Sequence, residues 1–184
     1  MKMLDAGSYG VICPMVNTPE DAEAVVQMCK YPLRGYRSFG PIRAKYYGGG
    51  ATHGGGDYHQ FADDETLAIL QIETREAIRN LDDILSVPGI GAIYVGPSDL
   101  SMALGKEPRK GQTDPEVVEA IQTIINAAKR HGIPAGIHTN SSQVAVERIR
   151  QGFQLTSLQS DDRFLMSKAK EEIAAVREGI KEGG

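Results

Sequence analysis

Glu73 and Asp99 are the residues whose types and spacing point most directly to chemistry. They stand 26 positions apart, one strand-plus-helix repeat. Glu73 closes the apolar run LAILQIE, and Asp99 lies in YVGPSDL, just after the next apolar run. In parallel α/β folds, functional groups collect at the carboxyl ends of strands. Neighbouring strands lie about 4.8 Å apart, so carboxylates from two adjacent strand ends can reach one divalent cation. Two oxygen ligands, with the other positions left to water and substrate, suit Mg²⁺ or Mn²⁺, and Co²⁺ is sometimes accepted. Each acid alone has a plainer use, capping the helix after its strand; the pair in register is what brings the metal into contention. The turn Gly96-Pro97-Ser98-Asp99-Leu100 adds a second feature. Gly96 permits close approach to the backbone, and the amides of Ser98 and Asp99 can hold a carboxylate where a short helix opens. A tight strand-to-helix turn is the alternative.

The remaining polar residues give weaker signals. His53 and His59 lie in a glycine-rich stretch and are expected in solvent. His131 is expected at a helix C-terminus, against the dipole. His138 ends a strand and can face the site, although a satisfied neighbour is the commoner role. Arg34, Arg37 and Arg43 are expected on a solvated loop face rather than against an anionic substrate. Cys13 is expected to pack in a strand. No Cys/His cluster suggests zinc, and no G-x-S-x-G elbow suggests a serine hydrolase.

The elements that must position these groups alternate along the chain. Short apolar runs at 11–16 (VICPMV), 67–72 (LAILQI), 92–95 (AIYV), 133–138 (IPAGIH) and 153–158 (FQLTSL) read as strands buried on both faces. Between them come helices. One opens at Thr18-Pro19-Glu20-Asp21; the others span 74–85, 114–131, 142–151 and 161–178. The order βαβαβαβαβα predicts an α/β fold with right-handed crossovers. Residues 31–63, carrying Gly48-Gly49-Gly50 and Gly54-Gly55-Gly56, break the rhythm and predict a long loop, either a lid or a surface excursion. No GK[ST] follows those glycines, so they are not a P-loop.

Composition narrows the class. The 184 residues carry 20 Lys plus Arg against 24 Asp plus Glu, a net charge of −4. That balance lacks the basic footprint of a nucleic-acid or membrane-surface protein. With 41% hydrophobic and 24% charged residues the chain is globular, and one domain over 1–184 is expected. Residues 1–10 do not read as a signal peptide. Two cysteines, Cys13 and Cys29, make no disulfide framework and suggest a reduced, cytoplasmic setting.

Several segments together resemble the HpcH/HpaI aldolases, class II 2-oxo acid aldolases of the phosphoenolpyruvate/pyruvate barrel superfamily. They are DAGSYGVICPMVNTPEDA, YRSFGPIRAKYYG, ILQIETREAIRNLDDILSVPGIGAIYVGPSDLSMALG and the later SDD. QIET and GPSDL, at their mutual spacing and preceded by GVICPMVNT, are the most specific parts. The resemblance implies Glu73 and Asp99 as metal ligands and Gln71 as a group beside the substrate. It implies that Gly96, Pro97, Ser98 and Asp99 form the turn that holds the pyruvate carboxylate. It further implies a (β/α)₈ barrel, a homo-oligomer (commonly a hexamer) that exchanges its last helix, and cleavage of a 4-hydroxy-2-oxo acid to pyruvate and an aldehyde through a metal-stabilised enolate. A citrate-lyase-like CoA-ester lyase is the neighbouring alternative, although GPSDL fits the free 2-oxo acid enzymes better.

The resemblance begins at the family's fourth strand. Strands 4–8 are therefore expected, an incomplete barrel of five βα units. The family's arginine at the keto oxygen and its His/Asp base belong to the first three units, and neither Arg43 nor His138 sits in a matching motif. Five strands cannot close an eight-stranded barrel, so open edges are expected at 11–16 and 153–158. An incomplete gene model is the expectation; strands from another chain, or an inactive fragment that keeps only metal binding, are the alternatives.

Overall fold

The structure, a computed structural model, describes residues 2–40, 43–47, 58–108 and 113–182. Five strands form one sheet in sequential order, every pair parallel: β1 (Gly10–Cys13), β2 (Leu67–Ile72), β3 (Ala92–Val95), β4 (Ala135–Thr139) and β5 (Leu155–Leu158). The sheet curls into an incomplete barrel, as expected, with β1 and β5 at its edges. The helices are α1 (Lys2–Asp5), α2 (Pro19–Cys29), α3 (Ala44–Tyr47), α4 (Tyr58–Glu65), α5 (Arg75–Arg79), α6 (Leu81–Leu85), α7 (Pro97–Ala103), α8 (Pro115–His131), α9 (Ser142–Gln151) and α10 (Asp161–Glu182).

Strand periodicity sorts side chains onto two faces. Ala68, Leu70, Ile72, Ile93, Val95, Ala135 and Ile137 join the main core beneath the helices, with Ile84, Ile121 and Ile124 packed among them. Each fully buried Ile or Leu there contributes about 1.5–3 kcal/mol. The opposite, concave face carries Ile69, Gln71 and Glu73 from the β2 row and Ala92, Tyr94 and Gly96 from the β3 row. Gly136 and His138 of β4 and Ser157 of β5 continue it. The register Gln71↔Tyr94, Tyr94↔Gly136 and His138↔Ser157 sets these side by side. Polar groups at the ends of this face therefore converge, while the helix-side face is filled by the core.

Several boundaries differ from expectation for local reasons. β1 ends at Cys13 rather than residue 16, because Pro14 has no N–H to pair and Met15 turns into the left-handed region at φ 59°. The helix expected over 74–85 is two helices, broken at Asn80 (φ −95°, ψ 11°), whose side chain donates to Asn17 O at 2.9 Å. α2 begins as its sequence predicts: Thr18 and Asp21 exchange the two bonds of a capping box behind Pro19.

The stretch 31–63, expected as a loop, contains α3 and begins α4; both glycine triplets and His53 lie outside the described residues. Arg37 is not on a solvated face. It is 1% exposed, pairs with Asp5 Oδ1 at 3.0 Å, and lies between the rings of Tyr31 and Tyr58, 4.7 and 5.6 Å from their centroids. A buried guanidinium needs such compensation, and it comes from residues too distant in sequence to be read together. Arg34 is exposed and pairs with Asp64, and His59 is exposed with its ring set edge-on to Phe39. His131 does end α8, where it bonds Asp82.

Candidate active site

Glu73 immediately follows β2, and it does not cap the next helix. That work is done by Thr74, whose Oγ1 accepts from Ala77 N at 3.0 Å. Glu73 is instead 2% exposed and points across the ends of the neighbouring strands. Its Oε1 accepts the Met15 backbone N–H at 2.9 Å, from beyond β1, and its Oε2 accepts Gln71 Nε2 at 2.5 Å. On the other side stands Gly96, at the end of β3. A Cβ there would lie 2.5 Å from Glu73 Oε2 and 2.6 Å from Gln71 Nε2. The close approach that Gly96 permits is thus to these two side chains. Gly96 is the N-cap of α7 with no side-chain cap bond, Pro97 follows at the first helical position, and Asp99 sits exposed in the first turn.

The donor set suits a hard cation. Glu73 is a buried carboxylate bonded by two neutral donors, and no Lys, Arg or His pairs with it among the described residues. An anion so placed is costly unless a positive charge stands near. Burial, and then the charge of Asp21, push the Cys13 thiol above its ordinary range. No group of three or more His, Cys, Asp or Glu side chains is gathered among the described residues. The groups placed against the Glu73 carboxylate are Met15 N–H, Gln71 and Gly96; Asp99 is exposed in the first turn of α7 and is not among them.

Beside the turn opens a cavity of about 530 Å³, bordered by Pro97, Ser98, His138, Asn140, Gln159 and Arg163. His138 Nδ1 bonds Ser157 Oγ at 2.7 Å, and the same Oγ bonds Tyr94 OH at 2.7 Å. Tyr94 reaches from β3 across β4 to β5 because Gly136 is between them; a Cβ at 136 would stand 2.7 Å from its ring. Burial pushes the Tyr94 phenol up, against the bond to Ser157.

Gln71, Glu73 and Gly96 are therefore in direct contact, Pro97 and Ser98 line the adjoining cavity, and Asp99, next in the chain, is exposed in the first turn of α7. Sequence reasoning did not find Met15, Tyr94, Ser157 or Arg163. A backbone N–H leaves no mark in a sequence, and the hydroxyl chain depends on register across three strands.

A family model described as HpcH/HpaI aldolase/citrate lyase matches residues 1–166. A hydroxypyruvate/pyruvate aldolase of Rhizorhabdus wittichii is 39% identical over 96% of this chain and 68% of its own length. A 4-hydroxy-2-oxo-heptane-1,7-dioate aldolase of Escherichia coli is 32% identical over 95% of this chain and 64% of its own. The chain thus spans about two thirds of the length of these relatives. The crystal structure of an HpcH/HpaI aldolase/citrate lyase family protein from Burkholderia cenocepacia superposes with a TM-score of 0.82 at 27% identity, over 96% of this chain and 68% of that one.

Proposed function

Because the chain belongs to the HpcH/HpaI aldolase/citrate lyase family, we propose that it is a divalent-metal aldolase. Its reaction would cleave a 4-hydroxy-2-oxo acid to pyruvate and an aldehyde, or run in reverse. The carbon–carbon bond breaks as the 4-hydroxyl proton passes to a base, and the pyruvyl carbon left behind takes up a proton. In the family that base lies on the first three units, and it is not assigned in this chain. The observation that carries this reading is the buried Glu73 carboxylate, held between Met15 N–H, Gln71 and Gly96 where β2 and β3 end side by side. Glu73 and Asp99 would hold the ion, with Mg²⁺, Mn²⁺ or Co²⁺ all suited to oxygen ligands. When bound, the ion supplies Lewis acidity toward charge developing on the keto oxygen as the carbon–carbon bond breaks, worth several kcal/mol.

The chain's own residues do the positioning. Gln71 fixes the Glu73 carboxylate by its amide. The backbone of Gly96, Pro97, Ser98 and Asp99 receives the pyruvyl carboxylate, and the 530 Å³ cavity beyond Ser98 takes the aldehyde half. Assembly into a homo-oligomer in the cytoplasm belongs to the same reading. It is supported by the exposed apolar side chains of α10, Leu165 at 72% and Ile180 at 70% among them. Among the described residues no helix is long and apolar enough to cross a membrane.

The test is pyruvate release from a 4-hydroxy-2-oxo acid by the purified chain, beside CoA thioesters as competing substrates. Release should need added Mg²⁺ or Mn²⁺, stop with EDTA, and be absent with thioesters. Turnover that persists under chelation, or in both Glu73→Gln and Asp99→Asn, contradicts the proposal.

A further inference from the structure

Asn17 lies in the loop between β1 and α2, and each of its four hydrogen-bonding groups is engaged. Its backbone N–H donates to Asp21 Oδ2 at 3.0 Å, and its backbone carbonyl accepts from Asn80 Nδ2 at 2.9 Å. Its side-chain Nδ2 donates to Met15 O at 3.0 Å, and its Oδ1 accepts from the Thr74 hydroxyl. One residue thereby joins the start of α2, the start of α5 and the break between α5 and α6 to the backbone at Met15. Met15 itself has φ 59°, a conformation that costs a non-glycine residue about 1–2 kcal/mol. Its side chain does not account for that cost, being 56% exposed. What the conformation does is accompany the bond from Met15 N–H to Glu73 Oε1.

We infer that Asn17 is a positioning residue for Glu73. It clamps the Met15 carbonyl and so keeps the neighbouring N–H aimed at the carboxylate. Thr74 closes the loop from the other side, because it is the next residue after Glu73 and also caps α5. The carboxylate is thus fixed at both ends: by Gln71 on Oε2, and on Oε1 by a backbone donor whose strained geometry Asn17 maintains. Partners of this kind, behind a metal ligand, are worth about 10–100-fold in metal affinity. The consequence for a cation rests on the function proposed above; the consequence for the Met15 amide does not.

The experiment uses the full chain with two substitutions. Asn17→Ala removes both side-chain bonds. Asn17→Asp keeps the shape and the acceptor but loses the donor to Met15 O, and it serves if the alanine variant does not fold. Amide hydrogen exchange is followed without metal, with Ile72 and Ile93 as markers of the intact sheet, and Mn²⁺ affinity is measured by calorimetry. Met15 protection should fall by about tenfold or more while Ile72 and Ile93 keep theirs, and Mn²⁺ should bind about tenfold more weakly. Unchanged Met15 protection in a folded variant overturns the inference. If the unsubstituted chain binds no Mn²⁺, the metal reading fails, while the exchange result still decides the role of Asn17.

Discussion

At the scale of single residues, the account turns on the space left by Gly96. Gly96→Ala would place a methyl group 2.5 Å from Glu73 Oε2 and 2.6 Å from Gln71 Nε2. The backbone there, at φ −98° and ψ 90°, accepts an alanine without strain. The clash instead falls on the buried Glu73 carboxylate, which must swing away from Met15 N–H and Gln71. The substitution should therefore cost about 1–3 kcal/mol of stability and lower Mn²⁺ affinity at least about tenfold. Equal affinity for the two proteins would show that Glu73 has room that the structure does not give it. Glu73 and Gly96 were legible because each follows an apolar run, so a strand reading brings them together; Gln71 was legible only through the resemblance carried by QIET. Arg37 was not. Its partners Asp5, Tyr31 and Tyr58 are scattered on both sides of it, and only the fold assembles them.

At the scale of elements, Arg37 is what ties the irregular stretch after α2 to α1 and α4. Asp5→Asn leaves a fully buried guanidinium facing a neutral amide. With Asp5 itself partly exposed, the loss should be about 2–3 kcal/mol, read as a lower urea midpoint with little change in slope. A midpoint shift near zero would mean the two tyrosine rings suffice. The strand positions and the α2 start followed directly from apolar runs and from Thr18-Pro19-Glu20-Asp21. The split of the 74–85 helix did not, because Ile78, Leu81, Ile84 and Leu85 keep helical spacing straight through it. What breaks the helix is a bond from Asn80 to Asn17 O, 63 positions away, a tertiary contact that no periodicity encodes.

At the scale of the whole molecule, folding buries ionisable groups that report on the assembled core. Burial pushes the Cys29 thiol above its ordinary range, with nearby Lys30 opposing. In the unfolded chain that thiol loses its proton at the ordinary pKa, whereas the folded chain still holds it. The folded state then binds more protons, so stability is full below the ordinary thiol pKa and falls as pH rises beyond it. Urea midpoints measured from neutral to alkaline pH should decline less steeply for Cys29→Ala than for the parent; parallel declines would place the alkaline loss elsewhere. The five parallel strands were legible from the spacing of apolar runs and their open edges from the resemblance to an eight-stranded barrel, and the sheet sets Glu73 and the Gly96–Asp99 turn on adjacent strand ends. The claim on which the functional reading depends is that both carboxylates serve one ion, and calorimetric titration of the full chain with Mn²⁺ tests it most directly. One site is predicted, weakened at least about tenfold in Glu73→Gln and again in Asp99→Asn. Binding of undiminished strength in either folded variant would contradict the account.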